Sequence, residues 1–279
     1  MKITNVEALK RISIEVRKGI IEAIYSAKSG HPGGALSCAD ILTVLYFNQM
    51  NIDENKPNDL NRDRLVLSKG HASAALYSVL AQKGYFSKEE LKTFRKLKSS
   101  LQGHPDMKKL PGVDMTTGSL GQGLSACVGM AIASKLNKAG CKIYCILGDG
   151  EIEEGQVWEA VMSASKNNLD NLCVILDNNN LQIDGTIEEV GGMNNITEKF
   201  LSFGFNVLNI DGHNIESIID AITTAKQTKG KPTIIIAKTV KGKGISFMEN
   251  KASWHGKAPS EEEYNKAIEE LDKAMLEIM

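Results

Sequence analysis

Every histidine in this chain stands beside a glycine: Gly30-His31, Gly70-His71, Gly103-His104, Gly212-His213 and His255-Gly256. Imidazole near neutral pH can donate, accept or shuttle a proton, which chemistry on hydroxyl and carbonyl groups requires. A flanking glycine marks a tight loop that can carry the ring close to a ligand. Any one of these rings could be a structural histidine, but a core helix would not keep giving its histidines that company. His31, His71, His104 and His255 fall in polar loops after expected helices or strands, and are candidate ligand-facing groups. His213, in I-D-G-H-N just ahead of a helix, reads as part of a turn or cap.

A second group of chemistry-bearing residues lies between Ile143 and Gly185. Two short apolar, β-branched runs break into I-L-G-D-G and I-L-D-N-N-N, as buried parallel strands do where they meet a loop. Glu151 to Asn168 has the length and spacing of one crossover helix, so the whole is a strand–helix–strand unit. Such sheets bind ligands at the carboxyl ends of their strands. Asp149, Asn179 and the carbonyl of Leu181 would supply half of the octahedral oxygen set that Mg²⁺ prefers, leaving the rest to phosphate and water. Gly148 and Gly150 remove side chains where a diphosphate must approach, and the following helix points amide donors at it. Alone, G-D-G is explained as a turn; followed one helix later by D-N-N-N, it points to a magnesium-bound diphosphate.

The elements that must position these groups follow a helix–strand alternation. Asn5 to Ser29 carries apolar residues at helical spacing and stops in S-G-H-P-G-G. Ser37 is expected to cap a second helix to about Gln49, Arg64–Ser68 to form the first strand, and Ala72–Gly84 a small-residue helix. Ser87 with Glu90 reads as the capping box of another short helix. Leu97–Gly123 has no periodic pattern but carries Gly, Pro, His and Thr, the mark of a functional loop. Gly121 or Gln122 then opens an Ala- and Gly-rich helix. After an irregular acidic stretch come a helix near Asn195–Phe203, strands at Asn206–Ile210 and Thr233–Ala237 flanking a helix from Ile215 to Lys229, and a final helix capped by Ser260 and Glu263.

The expected fold is therefore α/β: one doubly wound, three-layer α/β/α sandwich over residues 1–279 with a mostly parallel sheet. A net charge of −1 with no basic block argues against nucleic acid. No apolar run reaches a membrane span, and Met1–Thr4 leads into a helix without a signal peptide, so a cytoplasmic protein is expected. Cys38, Cys127, Cys141, Cys145 and Cys173 show no metal-like pairing; Cys141 and Cys145, expected on a strand, read as reduced packing residues.

The G-D-G to N-N-N spacing resembles the thiamine-diphosphate signature, and the flanking motifs resemble the transketolase family over nearly the whole chain. These are S-G-H-P-G at Ser29–Gly33, S-K-G-H-A at Ser68–Ala72, G-H-P-D at Gly103–Asp106, L-P-G-V-D-M-T-T-G-S-L-G-Q-G at Leu110–Gly123 and G-D-G-E-I-E-E-G at Gly148–Gly155. The resemblance implies thiamine diphosphate with Mg²⁺ (Ca²⁺ or Mn²⁺ able to substitute) and transfer of a two-carbon ketol unit from a ketose to an aldose. It implies a metal held by Asp149, Asn179 and Leu181. It implies cofactor contacts from His71, Gly118, Ser119, Leu120, Asp149, Gly150, Glu154, Asn179 and His255, and substrate contacts from His31, His104 and His255. Ser119 replaces the proline common in its motif, and W-H-G at Trp254–Gly256 replaces a longer family loop. Glu154 matches an acidic residue at the interface between subunits; alone, it reads equally as a helix N-terminal carboxylate.

The resemblance implies that such a site is completed by a pyrimidine-binding domain, and this chain shows neither a second strand–helix set for one nor arginines to grip a sugar phosphate. Lys69, Lys238, Lys241 and Lys243 are available cations, expected to be solvated. The expectation is an amino-terminal, diphosphate-side subunit of a two-chain transketolase, whose partner in a heterotetramer is a separate carboxyl-terminal subunit. Sugars or sugar phosphates would be its substrates, and an apolar face would be left for the partner. The alpha chain of a 2-oxo acid dehydrogenase or half of a deoxyxylulose-phosphate synthase would share the two strand ends, but does not explain S-K-G-H-A together with G-H-P-D. A fragment of a single-chain enzyme and a non-catalytic binding subunit are the other readings; the capped last helix argues against the fragment.

Overall fold

Four short apolar strands, largely buried, and a fifth, half-exposed strand at the sheet edge form the centre of the chain in a computed structural model that describes residues 2–183 and 185–278. Met1, Asp184 and Met279, which fall within the expected N-terminal start, the Ile143–Gly185 stretch and the last helix, lie outside the described residues. The strands are β1 (Arg64–Leu67), β2 (Ile143–Gly148), β3 (Leu172–Asn178), β4 (Asn206–Asp211) and β5 (Thr233–Lys238). They lie in the order β1-β2-β3-β5-β4, every neighbouring pair parallel.

Side-chain alternation sorts the layers. Tyr144, Ile146, Cys173, Ile175 and Ile235 face one core with helices α1 (Val6–Ala27), α2 (Pro32–Ser37), α3 (Ala39–Val44) and α4 (Ser73–Lys83). Ile143, Cys145, Leu147, Val174 and Ile234 face the other with α5 (Gln122–Leu136) and α6 (Gly155–Lys166). A single turn, α7 (Ile187–Val190), precedes α8 (Ile196–Ser202), whose Phe200 joins the α5 side. The α1 side also receives α9 (Ile215–Gln227) and α10 (Glu261–Glu277). The chain steps across the sheet with helices on the α5 face, then reverses from β4 to β5 with α9 on the opposite face. This keeps the crossovers right-handed, and it is the doubly wound α/β/α sandwich expected from the sequence.

Local chemistry fixes most boundaries. Asn5 Oδ1 accepts the Ala8 N–H at 2.8 Å to start α1, and Ser260 and Glu263 form the expected reciprocal box at the start of α10. Elsewhere the expected elements shift. The second helix begins at Pro32, because proline suits the first turn; it breaks at Cys38 and ends in a π-turn over Leu45–Gln49, so Ser37 closes a segment rather than capping one. Ser87 accepts the Glu89 N–H and opens a 3₁₀ helix, Lys88–Thr93, with no reciprocal box at Glu90. The crossover expected as one helix is a 3₁₀ turn, Glu151–Glu153, followed by α6, with Glu154 extended between them. Cys141 sits two residues ahead of β2 and bonds Ser134, while Cys145 is in the strand; all five cysteines are buried and free. The acidic stretch after Gly185 contains α7, opened by a Thr186–Glu189 box.

The exits of the strands set up the site. β1 leads to α4 and β5 toward α10 on one face, whereas β2 leads to α6 and β3, past α7, to α8 on the other. The loops diverge, and a crevice opens between them at the carboxyl ends.

Candidate functional site

At the end of β3, Asp177 is fully buried and is the anchor of this crevice. Its carboxylate accepts from the Lys69 ammonium just past β1, from Ser37 Oγ at 2.5 Å and from Thr239 Oγ1 just past β5. Lys69 also donates to the Gly34 carbonyl at 2.6 Å. One ion pair thus ties together α2 and the exits of β1, β3 and β5. Burial opposes the charge on Asp177, and Lys69 with the two hydroxyls more than offsets it, holding the carboxyl below its usual range.

Asp149, one residue beyond the register partner of Asp177, is equally buried but differently supplied. Among the described residues its oxygens accept only backbone N–H groups, from Gly150 at 3.0 Å and Asn180 at 2.5 Å. Burial and the neighbouring Asp177 push its pKa up to about 7. Asn179 Oδ1 accepts the Leu181 N–H at 3.2 Å, and the Leu181 carbonyl accepts Lys241 Nζ at 3.0 Å. Asp149, Asn179 and Leu181 line one cavity of about 120 Å³ with Lys69, Lys241 and His71. A carboxylate, a carboxamide and a main-chain carbonyl are hard oxygen donors. Among the described residues no group of three His, Cys, Asp or Glu side chains is placed to hold a metal ion, so a soft-metal centre does not fit.

The histidines divide. His31, His71 and His255 form a near-equilateral triangle with ring centroids 5.2 to 5.4 Å apart. His71 and His255 line the cavity, and His255 Nδ1 accepts from Lys241 Nζ at 3.0 Å. Burial and nearby cations lower all three: His31 and His255 to about 4, and His71 further still. All three rings are therefore neutral at pH 7. His104 stands exposed on the rim, outside the triangle, against the position a β-carbon on Gly118 would take. Arg95 approaches His31 Nδ1 at 3.4 Å and donates to Ser29 Oγ at 2.8 Å. His213 is structural: Nδ1 donates to Asp40 at 2.8 Å, Nε2 accepts the Val240 N–H at 2.8 Å, and Arg17 completes the network.

Of the other expected residues, Leu120 and Gly150 line the cavity. Gly118, at φ 150°, lets its loop lie directly on Gly70, whose own β-carbon would press on the Gly118 nitrogen. Ser119 is exposed, and so is Glu154, which caps α6 beside Gly121 without entering the cavity. The expectation of solvated lysines is corrected. Lys69 and Lys241 are each only 2% exposed, because each found an oxygen partner far away in the chain. Lys238 is exposed and Lys243 half-buried at the edge of a larger cleft of about 1150 Å³ across the ends of β3, β5 and β4. That cleft is roomier, but the convergent charges and three of the candidate histidines surround the smaller cavity or abut it. Lysine two or three residues past a strand, in S-K-G-H and T-V-K-G, was the available signal for Lys69 and Lys241.

Residues 9–274 match the family described as transketolase, thiamine diphosphate binding domain. The chain belongs to the transketolase family. It is 44% identical over 268 residues to one subunit of the apulose-4-phosphate transketolase of Phocaeicola vulgatus, covering 96% of this chain and 95% of that protein. It is 46% identical over 258 residues to a 6-deoxy-6-sulfo-D-fructose transketolase subunit of a Clostridium strain, covering 92% and 94%. The crystal structure of transketolase from Campylobacter jejuni superimposes with a TM-score of 0.90 at 37% identity, covering 99% of this chain and 46% of that one. This transketolase-family chain thus spans nearly all of the two subunits and under half of the longer enzyme. No helix among its described residues is long and apolar enough to cross a membrane.

Proposed function

We propose that residues 1–279 form the diphosphate-side domain and subunit of a two-chain transketolase, acting with a separate carboxyl-terminal subunit in a heterotetramer. The chain would bind thiamine diphosphate with Mg²⁺ and transfer a two-carbon ketol unit from a ketose or ketose phosphate to an aldose or aldose phosphate. The observation that carries this reading is Asp149: a buried carboxylate with backbone donors only, beside two further oxygen donors and two buried ammonium groups. A divalent cation fits that oxygen set, and a diphosphate fits the ammonium groups. The likeness to two proteins named as transketolase subunits over almost their full length supports the two-chain arrangement.

When bound, thiamine diphosphate supplies the carbanion chemistry. The chain's own residues would do the rest. Asp149, Asn179 and the Leu181 carbonyl hold the cation, and Lys69 and Lys241 place positive charge beside the phosphoryl oxygens. His71, Gly150 and His255 border the phosphoryl site, while Gly118, Ser119 and Leu120 present their loop to the aminopyrimidine. His31, His104 and His255 meet the sugar. Neutral at pH 7, the His31 and His255 rings can accept a proton from a hydroxyl or donate to a carbonyl oxygen without first losing a charge. Glu154, exposed at its helix cap, is available to the partner subunit. Purified chain should show no ketol transfer alone and gain it on mixing with the carboxyl-terminal subunit; strong transfer by the chain alone would contradict the two-chain arrangement.

A further inference from the structure

Glu151 is a buried carboxylate that the sequence hides inside an acidic run and that no role given above uses. It is 3% exposed. Oε1 accepts from Ser68 Oγ at 2.5 Å and from the Gly121 N–H at 2.9 Å, and Oε2 accepts the Gly148 N–H at 3.0 Å. The three donors belong to three separate segments. Ser68 begins the β1 exit that carries Lys69 and His71. Gly121 follows Leu120 at the start of α5. Gly148 ends β2, one residue ahead of Asp149. There is little slack around this junction: a β-carbon at Gly123 would collide with Ser68 Oγ, and one at Gly121 would lie 3.1 Å from Glu154 Cβ. Among the described residues no lysine or arginine hydrogen-bonds the carboxylate, and the donors on these three segments satisfy it. The 3₁₀ turn Glu151–Glu153 is what turns this side chain inward.

We propose that Glu151 is a positioning residue that fixes the Gly118–Leu120 loop against the Gly148–Asp149 turn, so that the pyrimidine and cation sides of the cofactor site are set by one carboxylate. The link to the cofactor rests on the functional reading above; the positioning itself does not. Glutamine cannot replace it. A carboxamide has one accepting oxygen and one donating nitrogen, whereas Gly121 and Gly148 are fixed donors aimed at different oxygens. Whichever way the amide turns, one backbone N–H faces another donor. Ser68→Ala removes one donor and leaves both backbone bonds in place.

The test compares wild type, Glu151→Gln and Ser68→Ala in two measurements. Amide hydrogen exchange of the cofactor-free chain should be roughly tenfold faster or more at residues 118–123 and 148–150 in Glu151→Gln, with β3 and β5 unchanged. Ser68→Ala should show a smaller rise at the same places. With the carboxyl-terminal subunit present, the thiamine diphosphate and Mg²⁺ concentrations for half-saturation should rise together, by about tenfold in Glu151→Gln and by a few-fold in Ser68→Ala. Unchanged exchange at 118–123, or a uniform rise over the whole sheet, would overturn the positioning role, because a merely structural carboxylate loosens everything alike. A rise in only one of the two half-saturation values would overturn the coupling. Failure of the wild-type complex to bind thiamine diphosphate would overturn the functional reading instead, and the exchange comparison would still judge Glu151.

Discussion

Two aspartates end neighbouring strands, both out of water, and they could hardly be provided for more differently. Asp177 meets an ammonium and two hydroxyls, and its acidity is strengthened. Asp149 meets two backbone N–H groups and a like charge, and its pKa climbs to about 7. A buried charge costs several kcal/mol unless paired. The fold supplies that pairing at Asp177 and withholds it at Asp149. Asp177 therefore belongs to the framework, and Asp149 carries a charge that a cation can balance.

Exchanging the roles should break this contrast most severely at Asp177. Asp177→Ala leaves Lys69 buried without its partner, and denaturant unfolding should show a loss of about 3–5 kcal/mol or no folded protein at all. At Asp149 the sign reverses. Its carboxyl ionises near pH 4 in the unfolded chain and near pH 7 in the folded one, so the stability it contributes is present below pH 4 and lost as pH rises toward 7. The difference in unfolding free energy between wild type and Asp149→Asn, without metal, should fall by about 2–4 kcal/mol over that window. Added Mg²⁺ with thiamine diphosphate should restore wild type at pH 7 and leave the variant unmoved.

The histidines sharpen the contrast from the opposite side. His31 and His255 protonate near pH 4 when folded and near pH 6.5 when unfolded, so they stabilise above pH 6.5 and lose that effect as pH falls toward 4. His255→Gln should flatten the acid limb of a stability–pH curve, while Asp149→Asn alters the curve with the opposite sign. The smallest effect is a control remote from both strand ends. Ser260→Ala removes the α10 cap and should cost about 1 kcal/mol in a thermal melt, with metal dependence unchanged.

The parts of this arrangement that the sequence exposed are those written in local pattern. The β-branched runs of β2 and β3 and their breaks at Gly148-Asp149 and Asn178-Asn179 are short-range signals, and the histidines announce their loops through adjacent glycines. The missed features depend on distance. Lys69 looks solvated until Asp177, 108 residues later, is placed beside it. Lys241 likewise meets Leu181 from 60 residues away. Glu151 sits in G-D-G-E-I-E-E, where an expected single helix would put it on an outer turn; the 3₁₀ turn and the break at Glu154 send it inward. Ile152 and Val157 share one core although five residues apart, an interval that a single helical face does not keep, and that spacing was the available sign of the break.

The most direct measurement is calorimetric titration of thiamine diphosphate into the chain assembled with its carboxyl-terminal subunit, with and without Mg²⁺, for wild type and Asp149→Asn. Wild type should bind only when Mg²⁺ is present, and Asp149→Asn should bind weakly and indifferently to the metal. Metal-dependent binding by Asp149→Asn equal to that of wild type would contradict the assignment of Asp149 as the cation's carboxylate.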